Sequence, residues 1–361
     1  MTTLKSSNKD RWPALDGLRA VSIIGVLGFH AGWPGFSGGA RGVDLFFVIS
    51  GFLITWLLVR EKDKTGQLSI KKFYWRRFLR IVPAFVVFLV GYWSACMVVF
   101  RDLKPLLLSS LLIAATYTTN AARAWFDRTV ILDHTWSLSA EEQFYAVWPW
   151  LTAALKKQTL LVVTFALVVL APVYRTLLFF TIGTSGPSHR YVYGPDTRFD
   201  TILVGCLLAL VINEPRYCQF IRAWARRGLT IPAGIGLLVT SIAVSMQSPF
   251  FMNTVGYSLI ALSAGILLVA ALFQEHLLYG KLLASPPLQW VGRLSYSLYL
   301  WHTVALALAG RFAGHLPKGP SIPWTSASYV TIAFGLASAS YYFVEKPFLR
   351  LKTRFAVVGV S

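Results

Sequence analysis

Charged side chains are scarce in this 361-residue chain. They make up 14% of the residues, whereas hydrophobic residues make up 55%, and the mean hydropathy is +0.58. A soluble domain needs a charged surface, so this composition excludes an ordinary soluble protein. It predicts an all-α, polytopic transmembrane helical bundle, with a single membrane domain, 1–361, that uses nearly the whole chain.

Cysteine is also scarce. The three cysteines, Cys96, Cys206 and Cys218, lie in or beside apolar runs and show no CxxC spacing, which excludes a disulfide framework. Walker sequences, zinc-ligand spacings and the serine nucleophile elbow are missing too. We therefore expect no resident metal ion.

Acidic residues are the rarest charged group, with 15 Asp and Glu against 34 Lys and Arg, so the net charge is +19. The basic residues lie at the ends of apolar runs, where membrane topology explains them better than nucleic-acid binding does. The first apolar run contains an Arg and a His and has no small-residue cleavage site. We expect it to be a retained span rather than a cleaved signal.

Ten apolar runs approach the length of about 20 residues that a membrane span needs. An eleventh, from Pro105 to Thr119, is short, and it is either a full span or a re-entrant segment. The excess of Lys and Arg on the cytoplasmic side is large if this run does not cross and nearly vanishes if it does. This favours ten crossings, cytoplasmic tails at 1–13 and 345–361, and residues 101–138 on the far side. The ten runs are Gly17 to Phe36, Val43 to Val59, Ile81 to Phe100, Ser139 to Leu155, Thr159 to Ile182, Phe199 to Ile212, Leu229 to Met246, Val255 to Phe273, Leu294 to Ala309 and Trp324 to Val344.

The first hydrophobic hairpin, Ala14 to Ser50, carries ionisable residues that lipid does not tolerate unpaired. Arg19 and His30 are eleven residues apart, which in an α-helix is about three turns and about 16 Å of rise. Both side chains therefore leave the helix on one face, at different depths, and Asp44 falls at the outer start of the second span. Such a pair is typical of a functional site. The alternative is that Arg19 snorkels to the headgroups and His30 is a core histidine with a satisfied hydrogen bond.

A basic segment, Ser69 to Pro83, precedes the third span, and we expect it to be a cytoplasmic loop. Arg76, Arg77 and Arg80 lie in it, on the same side of the membrane as Arg19. Guanidinium groups bind phosphate bidentately, so these residues could clamp the phosphates of a cytosolic cofactor. The alternative is an anchor on anionic lipid.

Further polar residues fall toward the outer side of the membrane. Glu142 and Tyr145, three residues apart, share a helix face and could line a cavity, although an interfacial aromatic belt with solvated acids is the alternative. Arg198 and Asp200 lie at an outer helix start, where the acid could simply favour the helix dipole. His302 falls near mid-membrane, where it is either structural or functional. The candidates for binding a substrate are Tyr145, Arg198, Asp200 and His302.

Six segments in order carry a resemblance to a known family. They are Arg19 with His30 after ten intervening residues, GVDLFFVISGFLIT from Gly42 to Thr55, RRFLRIVP from Arg76 to Pro83, TWSLSAEEQFY from Thr135 to Tyr145, DTRFD from Asp196 to Asp200, and SYSLYLWH from Ser295 to His302. Together they resemble the acyltransferase type 3 family of integral membrane acyltransferases, over about residues 14–347.

The resemblance implies a multi-pass protein of the bacterial inner membrane that moves an acyl group, acetyl by default, from cytosolic acyl-CoA onto a hydroxyl. It implies that acyl-CoA is a co-substrate and that no cofactor is tightly bound. His30 would be the catalytic histidine, and Arg19, Arg77 and Arg80 would form the donor site. Many relatives carry a C-terminal SGNH-type hydrolase domain, and this sequence resembles the stand-alone branch.

These expectations combine into one mechanism. The donor phosphates bind the arginines, the pantetheine arm follows the first span, and His30 takes the proton of the acceptor hydroxyl. Asp44 or Glu142 is expected to hold the imidazole tautomer, and an acyl-histidine intermediate remains open. The acceptor is equally open among envelope glycans, lipid-linked intermediates and secreted small molecules.

The competing function is a proton-coupled transporter or flippase of a glycan or lipid intermediate. In that function Arg19, His30 and Glu142 would form a proton relay or ligand site. It predicts inverted repeats between the two halves of the chain, and none is detectable.

Overall fold

The computed structural model describes residues 12–183, 189–313 and 322–352, and all regular elements in these ranges are helical. The prediction of an all-α bundle is confirmed. The first nine α-helices are α1 (Pro13–His30), α2 (Gly42–Thr65), α3 (Ile70–Val98), α4 (Lys104–Ala115), α5 (Thr119–Phe126), α6 (Trp136–Ala154), α7 (Lys157–Ile182), α8 (Arg190–Tyr193) and α9 (Pro195–Ile212). They are followed by α10 (Pro215–Arg226), α11 (Thr230–Gln247), α12 (Pro249–Phe251), α13 (Tyr257–Phe273), α14 (Leu278–Leu283), α15 (Pro286–Ala313), α16 (Ile322–Ser340) and α17 (Lys346–Lys352).

Six helical segments in the described ranges are long and apolar enough to cross a membrane. Two of them, in α7 and α11, leave most of their surface uncovered by protein, whereas the segment containing α13 is mostly buried. Exposed apolar helices of this length need a lipid environment. The chain is therefore a multi-pass membrane protein. The six segments are Gly39–Thr65, Ile70–Val98, Lys157–Ile182, Thr230–Gln247, Pro249–Phe273 and Thr325–Leu351.

The basic segment before the third span is helical rather than a loop, which corrects the expectation from sequence. Helix α3 begins at Ile70, where the Ser69 hydroxyl accepts a hydrogen bond from the Lys72 amide. Pro83 lies inside the helix, and its missing N–H and its ring disfavour a regular turn there, which is why the sequence suggested a boundary. The arginines of this segment are consequently held on a rigid helix.

Two pairs of helices run parallel and touch through their backbones. In the pair α1 and α15, a Cβ atom placed on Gly292 would lie 1.9 Å from the carbonyl oxygen of Asp16. In the pair α2 and α9, a Cβ on Gly51 would lie 2.1 Å from the carbonyl oxygen of Ile202. Only glycine permits this separation. The close approach sets the register of both pairs, and therefore which side chains meet along them.

The short apolar run that the sequence left open forms α4 and leads through a turn into α5. Tyr117, in the turn between these helices, stacks on Phe85 in the middle of α3, with the ring centroids 5.2 Å apart. The Gln143 amide of α6 donates to the Tyr117 carbonyl oxygen at 2.9 Å. Helix α4 therefore ends beside the middle of α3, inside the bundle.

Candidate active site

Three arginines from two helices converge inside the bundle. Arg19 projects from α1, and Arg77 and Arg80 project from α3; all three are surrounded by protein yet remain partly accessible to solvent. Arg19 Nε donates to the Ser295 hydroxyl at 3.2 Å, and the Arg77 guanidinium lies 4.6 Å from the ring centroid of Tyr145. None of the three forms a direct ion pair with a carboxylate of the described residues. We call Arg19, Arg77 and Arg80 the arginine cluster.

Carboxylates surround the arginine cluster without touching it. The charges of Glu141 and Glu345 act on Arg19, and those of Glu141 and Glu142 act on Arg77. Glu345 lies in a π-helical turn, Tyr341–Glu345, and accepts a hydrogen bond from Ser297. The sequence alone placed it in a basic tail, although it is the single acidic residue of the stretch 345–361. The cluster is therefore a mixed-charge polar cleft with opposite charges nearby but no closed pairs.

Arg76 and Tyr145 occupy different positions from those the sequence suggested. Arg76 Nη2 pairs with Glu61 Oε2 at 2.9 Å, and the other oxygen of Glu61 accepts from the Ser69 amide. This contact ties the end of α2 to the start of α3. The ring of Tyr145, a candidate for substrate binding, packs against the Arg77 guanidinium, and its hydroxyl shares a hydrogen bond with the Ser50 hydroxyl. It therefore belongs to the arginine end of the bundle.

Three histidines meet beside the C-terminal end of α1. The ring centroids of His30 and His302 are 4.8 Å apart, and those of His302 and His134 are 5.3 Å apart. His30 is exposed, whereas the other two are buried. We call these residues the histidine cluster. In the described part of the chain, no group of three His, Cys, Asp or Glu side chains is arranged to hold a metal ion.

Backbone carbonyls orient two of these imidazoles. His30 Nδ1 lies 2.9 Å from the Val26 carbonyl oxygen, and His302 Nδ1 lies 2.7 Å from that of Tyr299. A carbonyl oxygen only accepts, so Nδ1 is the donor in both contacts, and in the neutral form of either ring Nε2 is the acceptor. The buried Nε2 atoms of His134 and His302 have no hydrogen-bond partner among the described residues. The cluster therefore presents proton acceptors.

The carboxylates expected to hold the His30 tautomer lie elsewhere. Asp44 is fully buried and pairs with Arg198 at 2.5 Å, with Arg41 3.7 Å away. Glu142 lies beside Arg77. The sequence assigned to Asp44 or Glu142 the hydrogen bond that holds the His30 tautomer. The Val26 carbonyl makes that hydrogen bond instead, because it lies four positions earlier on the same helix, within reach of the imidazole.

Arg198 and Asp200 belong to a buried charge network rather than to an open surface. The Arg198 guanidinium lies 3.8 Å from the ring centroid of Tyr257. Arg175, which the sequence did not single out, pairs with Asp200 at 2.9 Å and donates to the Thr254 carbonyl oxygen at 2.8 Å. These contacts join α2, α7, α9 and α13. Arg175 is recognisable only as a lone arginine within a long apolar run.

A layer of buried polar side chains separates the two clusters. The Tyr299 hydroxyl lies 2.6 Å from the Ser137 hydroxyl and donates to the His134 carbonyl oxygen at 2.7 Å. Tyr299 is one turn of α15 beyond the partly accessible Tyr296, and His302 is about one turn further. Each turn adds about 5.4 Å. One hydrogen-bonded layer therefore lies between the polar cleft and the histidines.

Comparison with known proteins identifies the family of this chain. A family profile described as "Acyltransferase domain" matches residues 12–342. The chain belongs to this acyltransferase family. No solved structure matches the chain.

Two relatives of this chain carry names that specify an acceptor. The peptidoglycan O-acetyltransferase OatA of Listeria monocytogenes is 31% identical over 351 residues, covering 93% of this chain and 55% of that protein. YrhL of Bacillus subtilis, provisionally named a peptidoglycan O-acetyltransferase, is 31% identical over 354 residues, covering 93% of this chain and 54% of that protein. The chain thus spans about half the length of the curated relatives it matches.

Proposed function

We propose that this protein is a membrane O-acyltransferase that moves an acyl group, acetyl by default, from acyl-CoA to a hydroxyl of an envelope glycan. The observation that carries the proposal is the placement of two groups along the parallel pair α1 and α15. Arg19 of the arginine cluster, which forms no ion pair with a described carboxylate, contacts Ser295, and His30 meets His302 further along the pair. Family membership supports acyl transfer over a transporter or flippase. The names of the relatives favour peptidoglycan among the possible acceptors.

The donor phosphates bind the arginine cluster in this proposal. Arg77 and Arg80 lie three residues apart on one helix and repel each other electrostatically, as do Arg19 and Arg80. Unpaired guanidinium groups in a protein interior are costly unless an anion compensates them. A nucleotide with several phosphates would supply that anion.

His30 acts as the general base. Its Nε2 takes the proton of the acceptor hydroxyl while the hydroxyl oxygen attacks the thioester carbonyl carbon. The carbon–sulfur bond then breaks, and the imidazolium returns its proton to the departing thiolate, which leaves an ester and free CoA. The alternative route, attack by His30 Nε2 itself to form an acyl-histidine, differs in leaving label on the protein.

The proposed topology has ten crossings of a bacterial inner membrane with both termini in the cytoplasm. In this topology α4 and α5 form a re-entrant pair that adds no net crossing between α3 and α6, and the contact of the Tyr117 turn with the middle of α3 supports this. The arginine cluster would then face the cytosolic donor, and the histidine cluster would lie toward the outer leaflet. The layer at Tyr299 must open for the thioester to reach His30.

The test is transfer of labelled acetyl from acetyl-CoA to extracted envelope glycans by membranes containing the protein. We expect His30→Ala to lower transfer at least about 100-fold, because general bases contribute that much or more. His276→Ala, at an exposed histidine outside the cluster, is the matched control. Undiminished transfer by the folded His30→Ala protein would contradict the proposal.

A further inference from the structure

Tyr117, at the tip of the re-entrant pair, has an unusual backbone. Its φ angle is +53°, one of two positive values for non-glycine residues in the described part of the chain. A bulky aromatic residue rarely adopts this left-handed conformation, which persists where surrounding contacts impose it and is frequent at functional sites. Here the Gln143 amide and the Ala114 carbonyl hold the Tyr117 peptide groups. These contacts fix the backbone of the turn and therefore the direction of the Tyr117 side chain.

The Tyr117 side chain lies between the two clusters. It stacks on Phe85, five residues beyond Arg80 along α3, a rise of about 7 Å. Glu142 and Tyr296 are near enough to interact electrostatically with it, and both are partly accessible, as is Tyr117 itself. Phe88, three residues beyond Phe85, contacts the His134 ring, so Tyr117 lies at a depth between the arginines and the histidines.

The Tyr117 hydroxyl has no hydrogen-bond partner. Its oxygen is buried, and no donor or acceptor of the described residues pairs with it. Buried polar groups are nearly always paired, and tyrosine hydroxyls normally find a partner when buried. An unpaired hydroxyl at a depth between the two clusters is available to hydrogen-bond a polar ligand chain that runs from one cluster toward the other.

We propose that the Tyr117 hydroxyl donates a hydrogen bond to an amide carbonyl of the arm that joins the nucleotide of the acyl donor to its thioester. This rests on the proposed function, and it names a residue that positions the donor rather than one that touches the reacting carbon. The arm carries amide groups between its two ends. With the phosphates on the arginine cluster, an amide group reaches the depth of Tyr117.

The test compares binding of two ligands to the purified full-length protein. CoA has the arm, and adenosine 3′,5′-bisphosphate lacks it. We expect Tyr117→Phe to weaken CoA binding about five- to tenfold, the usual effect of one hydrogen bond, and to leave bisphosphate binding unchanged. Tyr279→Phe is the matched control, since Tyr279 packs on a separate core cluster and its hydroxyl makes no hydrogen bond in the described residues.

Each outcome is decisive. Unchanged CoA binding by Tyr117→Phe, or an equal loss for both ligands, would overturn the assignment of the arm to Tyr117. Absence of binding of either ligand by the unaltered protein would instead remove the proposed function, and the inference with it. Tyr117→Asn, which tolerates the left-handed backbone, replaces the phenylalanine variant if that one fails to fold, and the same selective loss for CoA is expected.

Discussion

At the scale of single residues, the arginine cluster shows why the kind of cation matters. A guanidinium is planar, stays charged and offers a fork of donors that matches phosphate oxygens, whereas an ammonium is a point charge. Arg77 stacks on Tyr145, and Arg19 uses one donor on Ser295, so the remaining donors are pre-oriented. The neighbouring carboxylates stay close without closing ion pairs, which leaves those donors available to an anion.

The substitution Arg80→Lys tests the role of the guanidinium fork, because it keeps the positive charge. The loss of bidentate contacts should raise the KM for acetyl-CoA about tenfold, with kcat nearly unchanged, because binding rather than chemistry is affected. Steady-state kinetics in detergent micelles measures both constants. Arg216→Lys, at an exposed residue of α10, should behave like the unaltered protein; an unchanged KM in Arg80→Lys would exclude a forked phosphate contact at this residue.

His302 supports His30 through ring packing and its own fixed tautomer. His302→Asn should therefore lower kcat, by about tenfold or more, with little change in the KM for acetyl-CoA, because the donor binds at the other cluster. A melting curve establishes that the variant is folded. Equal kcat values for the folded variant and the unaltered protein would show that the contact with His30 has no role in turnover.

At the scale of elements, the parallel pairs α1 with α15 and α2 with α9 determine which side chains meet. Each pair touches through backbone atoms at a glycine, and the polar contacts Arg19–Ser295 and Asp44–Arg198 lie within about two helical turns of those glycines. Close backbone approach leaves little freedom to slide. The register of α1 on α15 therefore sets both the distance between the clusters and the contact of His30 with His302.

Gly292→Ala should destabilise the protein by about 1 to 3 kcal/mol, because the new methyl group would overlap the Asp16 carbonyl and force the helices apart. Thermal unfolding in detergent measures the loss. Gly335→Ala in α16 is the control: nothing lies within 4 Å of its Cβ position, so replacing glycine inside a helix should be neutral or stabilising. Equal melting temperatures for the two variants would contradict the packing argument.

At the scale of the whole molecule, the helical bundle holds the arginine cluster and the histidine cluster at different depths. Cations gather in a polar cleft at one end, imidazoles lie at the other, and a hydrogen-bonded layer at Tyr299 divides them. Such a separation suits a reaction whose donor and acceptor are on different sides of a membrane. It also requires that the layer open during each cycle.

The topology is testable with single cysteines in a background without Cys96, Cys206 and Cys218. Arg128→Cys, at an exposed position after α5, should react with a membrane-impermeant maleimide on intact spheroplasts. Lys64→Cys, at the exposed end of α2, should react only after permeabilisation. Labelling of Arg128→Cys only after permeabilisation, or labelling of Lys64→Cys in intact spheroplasts, would rule out ten crossings with cytoplasmic termini.

The amino-acid sequence by itself determined the class of the protein and the position of its polar residues along each helix. Long apolar runs must become lipid-exposed or buried helices, and residues such as Arg19 and His30 then share a face because helical spacing is a local property. For the same reason the family resemblance, which depends only on the order and spacing of residues, was recognisable in the sequence and is confirmed by the family match.

Only the tertiary structure decided which polar groups meet. Asp44 pairs with Arg198, the charge of Glu345 acts on Arg80 and Arg19, and His134, in a short 3-10 turn, packs against His302. These interactions connect residues more than 100 positions apart, and they depend on how helices pack against each other, with the parallel pairs in close backbone contact at their glycines. Local propensity carries no information about such partners, because the free energy that selects them arises only when separate helices bury their surfaces together.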